Sequence, residues 1–156
     1  TVYLPGVAKH HGVKIAGSGM TQNVKQYVLY GNLRPARGYE YDSTWLEDTK
    51  YYADLKKITF DYHLPLVYPD ISVFDLMYIT RFRSCLFYDY SYGHYKNSQN
   101  PFFIPYILSS AGFDITMDFH FLHAQIPISI SYRYAYLIEP NKPAWGIYFN
   151  IDLLSF

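Results

Sequence analysis

The chain has 156 residues, with 13 Lys plus Arg balanced by 13 Asp plus Glu and a sequence pI near 6.9. This balance gives no electrostatic basis for binding a nucleic acid, and the single cysteine excludes an internal disulfide and a cysteine zinc cluster. Aromatic residues make up 21% of the chain, chiefly 19 Tyr and 11 Phe, which is typical of β-strands and of membrane–water interfaces.

Apolar and polar residues alternate along most of the chain, and a period of two predicts β-strands with two different faces. In chain order the predicted strands are 11–20, 55–66, 75–91, 107–121, 126–137 and 144–154. The connection 20–52 is long and 92–105 is intermediate, whereas Val67–Phe74, Leu122–Gln125 and 138–143 are short. Short turns on one rim and longer loops on the other are typical of an outer-membrane barrel.

One face of the predicted strands is apolar or aromatic. It contains Ile58, Phe60, Tyr62, Leu64, Leu66, Tyr78, Phe82, Leu86, Tyr88, Tyr90, Phe113, Ile115, Met117, Phe119, Ile130 and Ile147. The other face carries Asp61, Asp114, Asp118 and His120, which cannot point into a dry core without a heavy cost but can line a wet lumen. We interpret these acids as wall residues that balance cations rather than as catalytic pairs. The balancing cations are Lys57, Arg81, Arg83 and Arg133.

These patterns predict an all-β protein, an antiparallel transmembrane β-barrel. About six strands cannot enclose a lumen, and an open sheet in lipid would leave unpaired edges. We therefore expect residues 1–156 to form the C-terminal part of one larger barrel domain of about sixteen strands. The missing strands are expected to precede residue 1.

A set of motifs resembles one family. The order is Arg37-Gly38-Tyr39 in the long loop, then Tyr62-His63-Leu64-Pro65-Leu66, then Phe87-Tyr88-Asp89-Tyr90-Ser91, then Ser110-Ala111-Gly112-Phe113-Asp114. This order resembles the C-terminal part of the BamA superfamily of outer-membrane assembly and two-partner-secretion barrels. Ser91 stands where the family pattern has glycine, and Phe156 falls on the other parity from Phe149.

The resemblance implies a role for each motif residue. Arg37 is the arginine of a loop folded into the lumen, Gly38 permits a sharp backbone there, and Tyr39 is the packing aromatic. Asp89 is the strand carboxylate that meets Arg37, and a guanidinium can bind a carboxylate through two planar hydrogen bonds. Such a contact would hold the long loop against the barrel wall.

The implied function is non-enzymatic: insertion or translocation of other outer-membrane proteins in a Gram-negative outer membrane. The expected partners are outer-membrane lipids, the N-terminal remainder of the barrel and client outer-membrane proteins. Accessory lipoproteins are further candidate partners, for which the sequence holds no direct evidence. The final strand, 144–156, would form a seam with the first barrel strand and could offer its edge to a client strand.

Two other functional readings stay open. One is a passive barrel, porin-like or anchoring a propeller-bearing surface protein, and the other is a soluble Tyr-rich β-sandwich binding module. We expect Tyr132, Tyr134, Tyr136 and Trp145 to be membrane-interface aromatics, the alternative being a sandwich core. Metal sites and cofactors are not expected, because the histidines that are close in sequence would point to opposite faces of a strand. These are His10 with His11 and His120 with His123.

Overall fold

The computed structural model describes residues 1–21, 35–39, 52–74, 76–96, 103–121 and 127–151. They form eight strands: β1 (Val2–Pro5), β2 (Gly12–Thr21), β3 (Tyr52–Val67), β4 (Ile71–Val73), β5 (Met77–Lys96), β6 (Phe103–Phe121), β7 (Pro127–Leu137) and β8 (Lys142–Ile151). The predicted all-β class is therefore confirmed.

All eight strands belong to one sheet, and every pairing is antiparallel, as predicted. The order is β1-β2-β3-β5-β6-β7-β8, so nearly every strand pairs with the strand before it in the chain, and the short β4 pairs with β5. Within the described residues the sheet is open, with β1 and β8 at its edges. Closure into a barrel stays a prediction.

Two strands were missed by the sequence analysis. Both are short: β1 has four residues, and β4 has three and lies inside the segment interpreted as a turn, Val67–Phe74. Such short segments cannot display a period of two. In contrast, β5 and β6 are longer than predicted, so that the segment between them is 97–102 rather than 92–105. The predicted contrast between two rims is therefore weaker than expected, because only the β2–β3 connection is long.

The cross-strand register brings the apolar positions of β3, β5, β6, β7 and β8 onto one side of the sheet, the apolar face. Phe60 pairs with Tyr88, Leu86 with Phe113, Ile115 with Tyr132, and Tyr132 with Ile147. Many side chains on this face are exposed: Ile58, Phe60, Leu86, Tyr88, Ile107, Ile115, Tyr132, Tyr136, Trp145, Ile147 and Phe149. The described strands therefore form one layer whose apolar face is uncovered.

One predicted member of the apolar face was placed wrongly. A register shift between Ile79 and Arg81 puts Tyr78 opposite His120, and His120 shares its side of β6 with Asp118. A bulge of this kind inserts an extra residue, and every side chain beyond it changes face. Tyr78 therefore belongs to the opposite side, the polar face.

The polar face is not polar throughout. A buried apolar cluster lies on it near one end of the sheet. It is formed by residues of the strands and by residues 35–39, which we call the loop tip, lying over them. The cluster comprises Ala36, Tyr39, Leu55, Phe87, Tyr106, Leu108, Ala135, Leu137 and Ala144. The core of this fold therefore lies between the loop tip and the sheet, where the sequence analysis expected a mainly aqueous surface.

Candidate functional site

The loop tip, 35–39, is seated on the polar face near the 138–141 turn. Its backbone turns sharply, with Tyr39 N donating to Ala36 O at 3.4 Å and Gly38 at a φ of +95°. A Cβ added to Gly38 would lie 2.7 Å from Ala135 Cβ and 2.9 Å from Leu137 Cδ2. Glycine is required here for two reasons, a left-handed backbone and close packing on a small alanine.

Arg37 is bound to Asp89 by three hydrogen bonds. Its backbone N and its Nε each donate to Asp89 Oδ2 at 2.9 Å, and its Nη2 donates to Asp89 Oδ1 at 2.8 Å. The Asp89 side chain is fully buried. The two residues that the family resemblance paired are therefore in direct, bidentate contact.

Two more carboxylates surround the same guanidinium. Arg37 Nη2 also donates to Asp61 Oδ1, and Arg37 Nη1 lies 3.9 Å from Asp114 Oδ2. Burial alone would lower the pKa of Arg37, but hydrogen bonds and charge from Asp89 and Asp61 raise it above its ordinary value. Arg37 therefore stays charged at any pH at which the protein is folded.

Lys57 of β3 ties the loop backbone to the same carboxylate. Its Nζ lies 2.9 Å from Asp89 Oδ2 and donates to Pro35 O at 3.0 Å. On the adjacent strand, Lys14 Nζ lies 3.5 Å from Asp61 Oδ2. Asp89 and Asp61 each face two cations, so the loop tip is held by a network rather than by one pair.

The Phe87 ring packs against the guanidinium group of Arg37. The guanidinium carbon lies 4.0 Å from the centre of the Phe87 ring, within cation–π range. Phe87 pairs across the sheet with Gly112, and a Cβ at Gly112 would lie 2.9 Å from Phe87 Cζ. Because Gly112 has no side chain, the Phe87 ring can lie close to the neighbouring strand and support Arg37.

Arg133 and Asp114 form a second bidentate pair beside the first. Arg133 Nε and Nη2 donate to the two Asp114 oxygens at 2.7 and 2.9 Å, and Nη1 donates to Tyr148 Oη at 3.0 Å. The sequence analysis expected Asp61, Asp114 and Asp118 to be balanced by nearby cations. Arg133 pairs with Asp114, and Arg81 and Arg83 pair with Asp118, as expected. Asp61 pairs instead with Arg37 and Lys14, and the expected cation Lys57 pairs with Asp89.

Tyr39 provides a separate attachment at the end of the loop tip. Its buried hydroxyl donates to Ser109 O at 3.3 Å and to Glu139 Oε2, and Glu139 also accepts from Ser109 N at 2.7 Å and Ser109 Oγ at 2.6 Å. Burial and the Glu139 charge raise the pKa of Tyr39. Burial would raise the pKa of Glu139, but the hydrogen bonds from Ser109 outweigh it and lower that pKa.

The four predicted interface aromatics all lie on the apolar face. Tyr134 pairs with Trp145 across β7 and β8, and its ring stacks on Phe113 with 5.6 Å between centres. Tyr136 Oη donates to Asn141 Oδ1 in the turn, whereas Tyr132 lies four positions deeper along β7. Trp145 is 64% exposed, so these rings are not packed as a sandwich core within the described residues.

One group of donor atoms has the spacing of a metal site. Oxygen, nitrogen and sulfur atoms of Asp61, His63 and Cys85 lie within 4.8 Å of one another. However, Arg37 and Lys14 already contact both oxygens of Asp61. A divalent cation would have to displace one of them and lie beside the other, so the electrostatics of this cluster disfavour a metal.

The histidines that are close in sequence do not belong to a group of metal-ligand atoms among the described residues. His11 Nδ1 lies 2.9 Å from Tyr62 Oη, while His123 falls outside the described residues.

Three members of the site were not predicted from the sequence. Phe87 was noted only as part of a motif, and neither Lys57 nor Glu139 was expected to touch the loop. Alternation places Lys57 and Phe87 on the polar face, but only the strand register shows which of the face's residues lie together. Nothing in the turn sequence around Glu139 points to Tyr39.

Comparisons of the chain with protein-family models, with curated proteins and with solved structures gave no match. The resemblance to the BamA superfamily therefore rests on the sequence motifs alone and stays a prediction. Within the described residues, no helix is long and apolar enough to cross a membrane.

Proposed function

We propose that this chain is part of an outer-membrane β-barrel of the BamA type, whose lumen holds the loop tip and which assists insertion or translocation of other outer-membrane proteins. The observation that carries the proposal is the position of Arg37. It lies against Asp89 on the polar face, on the opposite side of the sheet from the exposed apolar face.

The apolar face supports contact with lipid acyl chains. An exposed apolar surface spanning five strands indicates an interaction surface, because soluble monomers rarely leave one uncovered. Lipid is the occupant we infer, because the other face of the same strands carries the ion-pair network and cannot enter hydrocarbon. The polar and apolar faces then match the wall of a membrane barrel.

Strand length supports the same proposal. Strands β5 and β6 have 20 and 19 residues, and β3 has 16. A tilted membrane strand needs only about 9–11 residues, whereas strands in soluble sheets usually have about 5–6. Strands of this length can cross the bilayer and continue beyond it as an extension of the wall.

The insertase role depends on the loop. A loop tip fixed by Asp89 and Asp61 at one end and by Glu139 at the other stiffens the wall, while the outer edge of β8, unpaired among the described residues, could exchange partners at a seam. The seam itself would involve a strand outside this chain. This part of the proposal draws on the family resemblance, and the ion pairs supply its physical basis.

Substitution of Arg37 tests the function. In cells that depend on this protein, Arg37→Ala should reduce the folded, heat-modifiable fraction of other outer-membrane barrels while the variant itself still reaches the membrane. Lys56→Ala, which removes an exposed cation from the other side of β3, is the matched control. Unchanged levels of folded client barrels in the Arg37→Ala strain would exclude the insertase role and favour a passive barrel.

Solubility tests the membrane assignment separately. We expect the purified chain to need detergent to stay monodisperse. A monodisperse monomer in plain buffer would support the soluble binding module instead.

A further inference from the structure

The charges on the polar face fall into two groups. Around the loop tip, the carboxylates of Asp61, Asp89 and Asp114 are buried or nearly so, and they face the cations Lys14, Arg37, Lys57 and Arg133. Farther along the same face, toward the 122–126 connection, Arg81 and Arg83 share a single carboxylate among the described residues, that of Asp118. This second group, the arginine pair, is not part of the loop-tip contacts.

Both arginines of the pair bind the same oxygen. Arg81 Nε donates to Asp118 Oδ2 at 2.5 Å and Arg83 Nε donates to it at 2.9 Å, with a longer bond of 3.3 Å from Arg83 Nη2 to Oδ1. Ser129 Oγ also donates to Asp118 Oδ1, at 2.6 Å. Both oxygens of the Asp118 carboxylate therefore accept hydrogen bonds. Its single negative charge balances one of the two positive charges of Arg81 and Arg83.

The bulge before Arg81 fixes this arrangement. Thr80 Oγ1 donates to the backbone O of Asp118 at 2.8 Å, at the point where the β5–β6 register shifts.

Among the described residues, Arg81 donates only through Nε, so that its terminal nitrogens remain available. The side chains of Arg81 and Arg83 are 49% and 45% exposed, whereas the Asp118 side chain is 8% exposed.

We propose that Arg81 and Arg83 form a binding site for a tetrahedral oxyanion of the phosphate class. The two residues are separated by one position on the same strand face, about 6.6 Å, so one anion can receive hydrogen bonds from both guanidinium groups. A phosphate offers three or more oxygens for two planar forks, while a carboxylate offers only two. Asp114, which pairs across the sheet with Cys85, is already bound to Arg133 and adds no uncompensated negative charge.

This proposal does not depend on the insertase role, since it concerns only local charge and geometry. Its ligand could be free phosphate or the phosphate of a lipid headgroup, and the chemistry of recognition is the same for both. The expected dissociation constant is on the order of 1 mM at low ionic strength, the range for two charge-assisted contacts at a half-exposed site.

Arginine modification of the unaltered chain provides the first test. The chain is treated with phenylglyoxal in non-ionic detergent at pH 7.5, with inorganic phosphate or with chloride of equal ionic strength, and modified residues are mapped by mass spectrometry. Phosphate should slow modification of Arg81 and Arg83 by at least threefold relative to chloride. Equal rates in the two salts would exclude free phosphate as the ligand, and the lipid experiment below then decides the proposal.

Variants locate the site. Arg81→Gln and Arg83→Gln should each weaken phosphate binding about tenfold, the loss of a charge-assisted contact. Arg83→Lys, which keeps the charge but loses the planar fork, should fall between them and the unaltered chain. Lys56→Gln removes the same charge elsewhere and should leave binding unchanged, so an equal loss in this variant would mean a nonspecific charge effect. If a glutamine variant does not fold, the protection experiment decides alone.

A lipid arm separates the two sources. The protection experiment is repeated with micelles containing phosphatidic acid instead of inorganic phosphate. Protection by both ligands assigns the site to the free oxyanion, and protection by the lipid alone assigns it to a headgroup. Protection by neither overturns the proposal.

Discussion

Arg37 reaches Asp89 through its backbone amide as well as its guanidinium, so the strand carboxylate fixes both the position of the loop backbone and the direction of the side chain. Asp89 is fully buried and also contacts Lys57. Both partners of this carboxylate therefore fix the loop tip. Arg37 belongs to the loop tip itself, and Lys57 donates a hydrogen bond to the carbonyl oxygen of Pro35.

Arg37→Ala should therefore destabilise the folded chain by about 3–5 kcal/mol, because it leaves buried carboxylates without their main partner. Arg37→Lys should recover part of this loss, since it keeps the charge but not the bidentate geometry. Thermal unfolding in detergent measures both. A loss equal to that of the control Lys56→Ala would contradict the assigned role of Arg37.

The reactivity of Cys85 measures displacement of the loop tip. It is the only cysteine, it is largely buried, and its sulfur lies within 4.8 Å of an Asp61 oxygen in the Arg37 network. Displacing the loop tip should expose it, so Arg37→Ala should raise the rate of maleimide labelling at least tenfold, which corresponds to about 1.4 kcal/mol. An unchanged labelling rate would mean that the loop tip does not cover this region.

Gly38→Ala should also displace the loop tip, by a steric route. The added Cβ would be strained by the φ of +95° and would meet Ala135 and Leu137. We expect a loss of about 1–3 kcal/mol in unfolding free energy. Gly17→Ala is the matched control, because nothing lies within 4 Å of the added Cβ there. If the two variants unfold alike, Gly38 is not a tight packing position.

Glu139 should make the loop attachment sensitive to acid. Its pKa is lowered in the folded protein, so its contribution to stability is present above its ordinary pKa of about 4.3 and is lost as pH falls through the lower folded value. Between about pH 5 and pH 3, the unaltered chain should lose more stability than Glu139→Gln. Unfolding midpoints of both proteins across this range provide the measurement. Parallel curves would show that Glu139 contributes nothing to this dependence.

Phe87→Ala should remove the support of Arg37 and open a cavity above Gly112. The expected cost is about 3–5 kcal/mol for a buried aromatic residue, and Phe87→Leu should cost less because it fills part of the space. Arg37 should also become easier to displace, so the Cys85 labelling rate of Phe87→Ala should rise toward that of Arg37→Ala. If Phe87→Ala is destabilised but labels at the normal rate, Phe87 contributes to packing without holding the loop tip in place.

Alternation was enough to predict the main strands and their faces. In 128–136 and 113–121, apolar or aromatic residues alternate with small or polar ones, and the observed β7 and β6 agree with the predicted faces. The bulge after Ile79 could not be predicted, because it depends on how two strands meet rather than on the sequence of one. For the same reason Tyr78 was assigned to the wrong face.

The candidate site was only partly predictable. Arg37 and Asp89 are far apart in the chain, and only a family resemblance suggested that they meet. The contributions of Lys57, Asp61 and Glu139 follow from cross-strand register and from the path of a loop, neither of which leaves a local pattern. The apolar core beneath the loop tip was missed because its residues, such as Leu55, stand singly at polar-face positions of different strands and form no local pattern.

The proposed contact between the apolar face and acyl chains can be measured through the fluorescence of Trp145. The chain has two tryptophans, and Trp45→Phe leaves Trp145 as the only one. Trp145 is on the apolar face and is 64% exposed. After reconstitution into vesicles with brominated acyl chains, its emission should be strongly quenched, while a water-soluble quencher has little effect. Strong quenching by the water-soluble reagent, with none by the brominated lipid, would contradict the account.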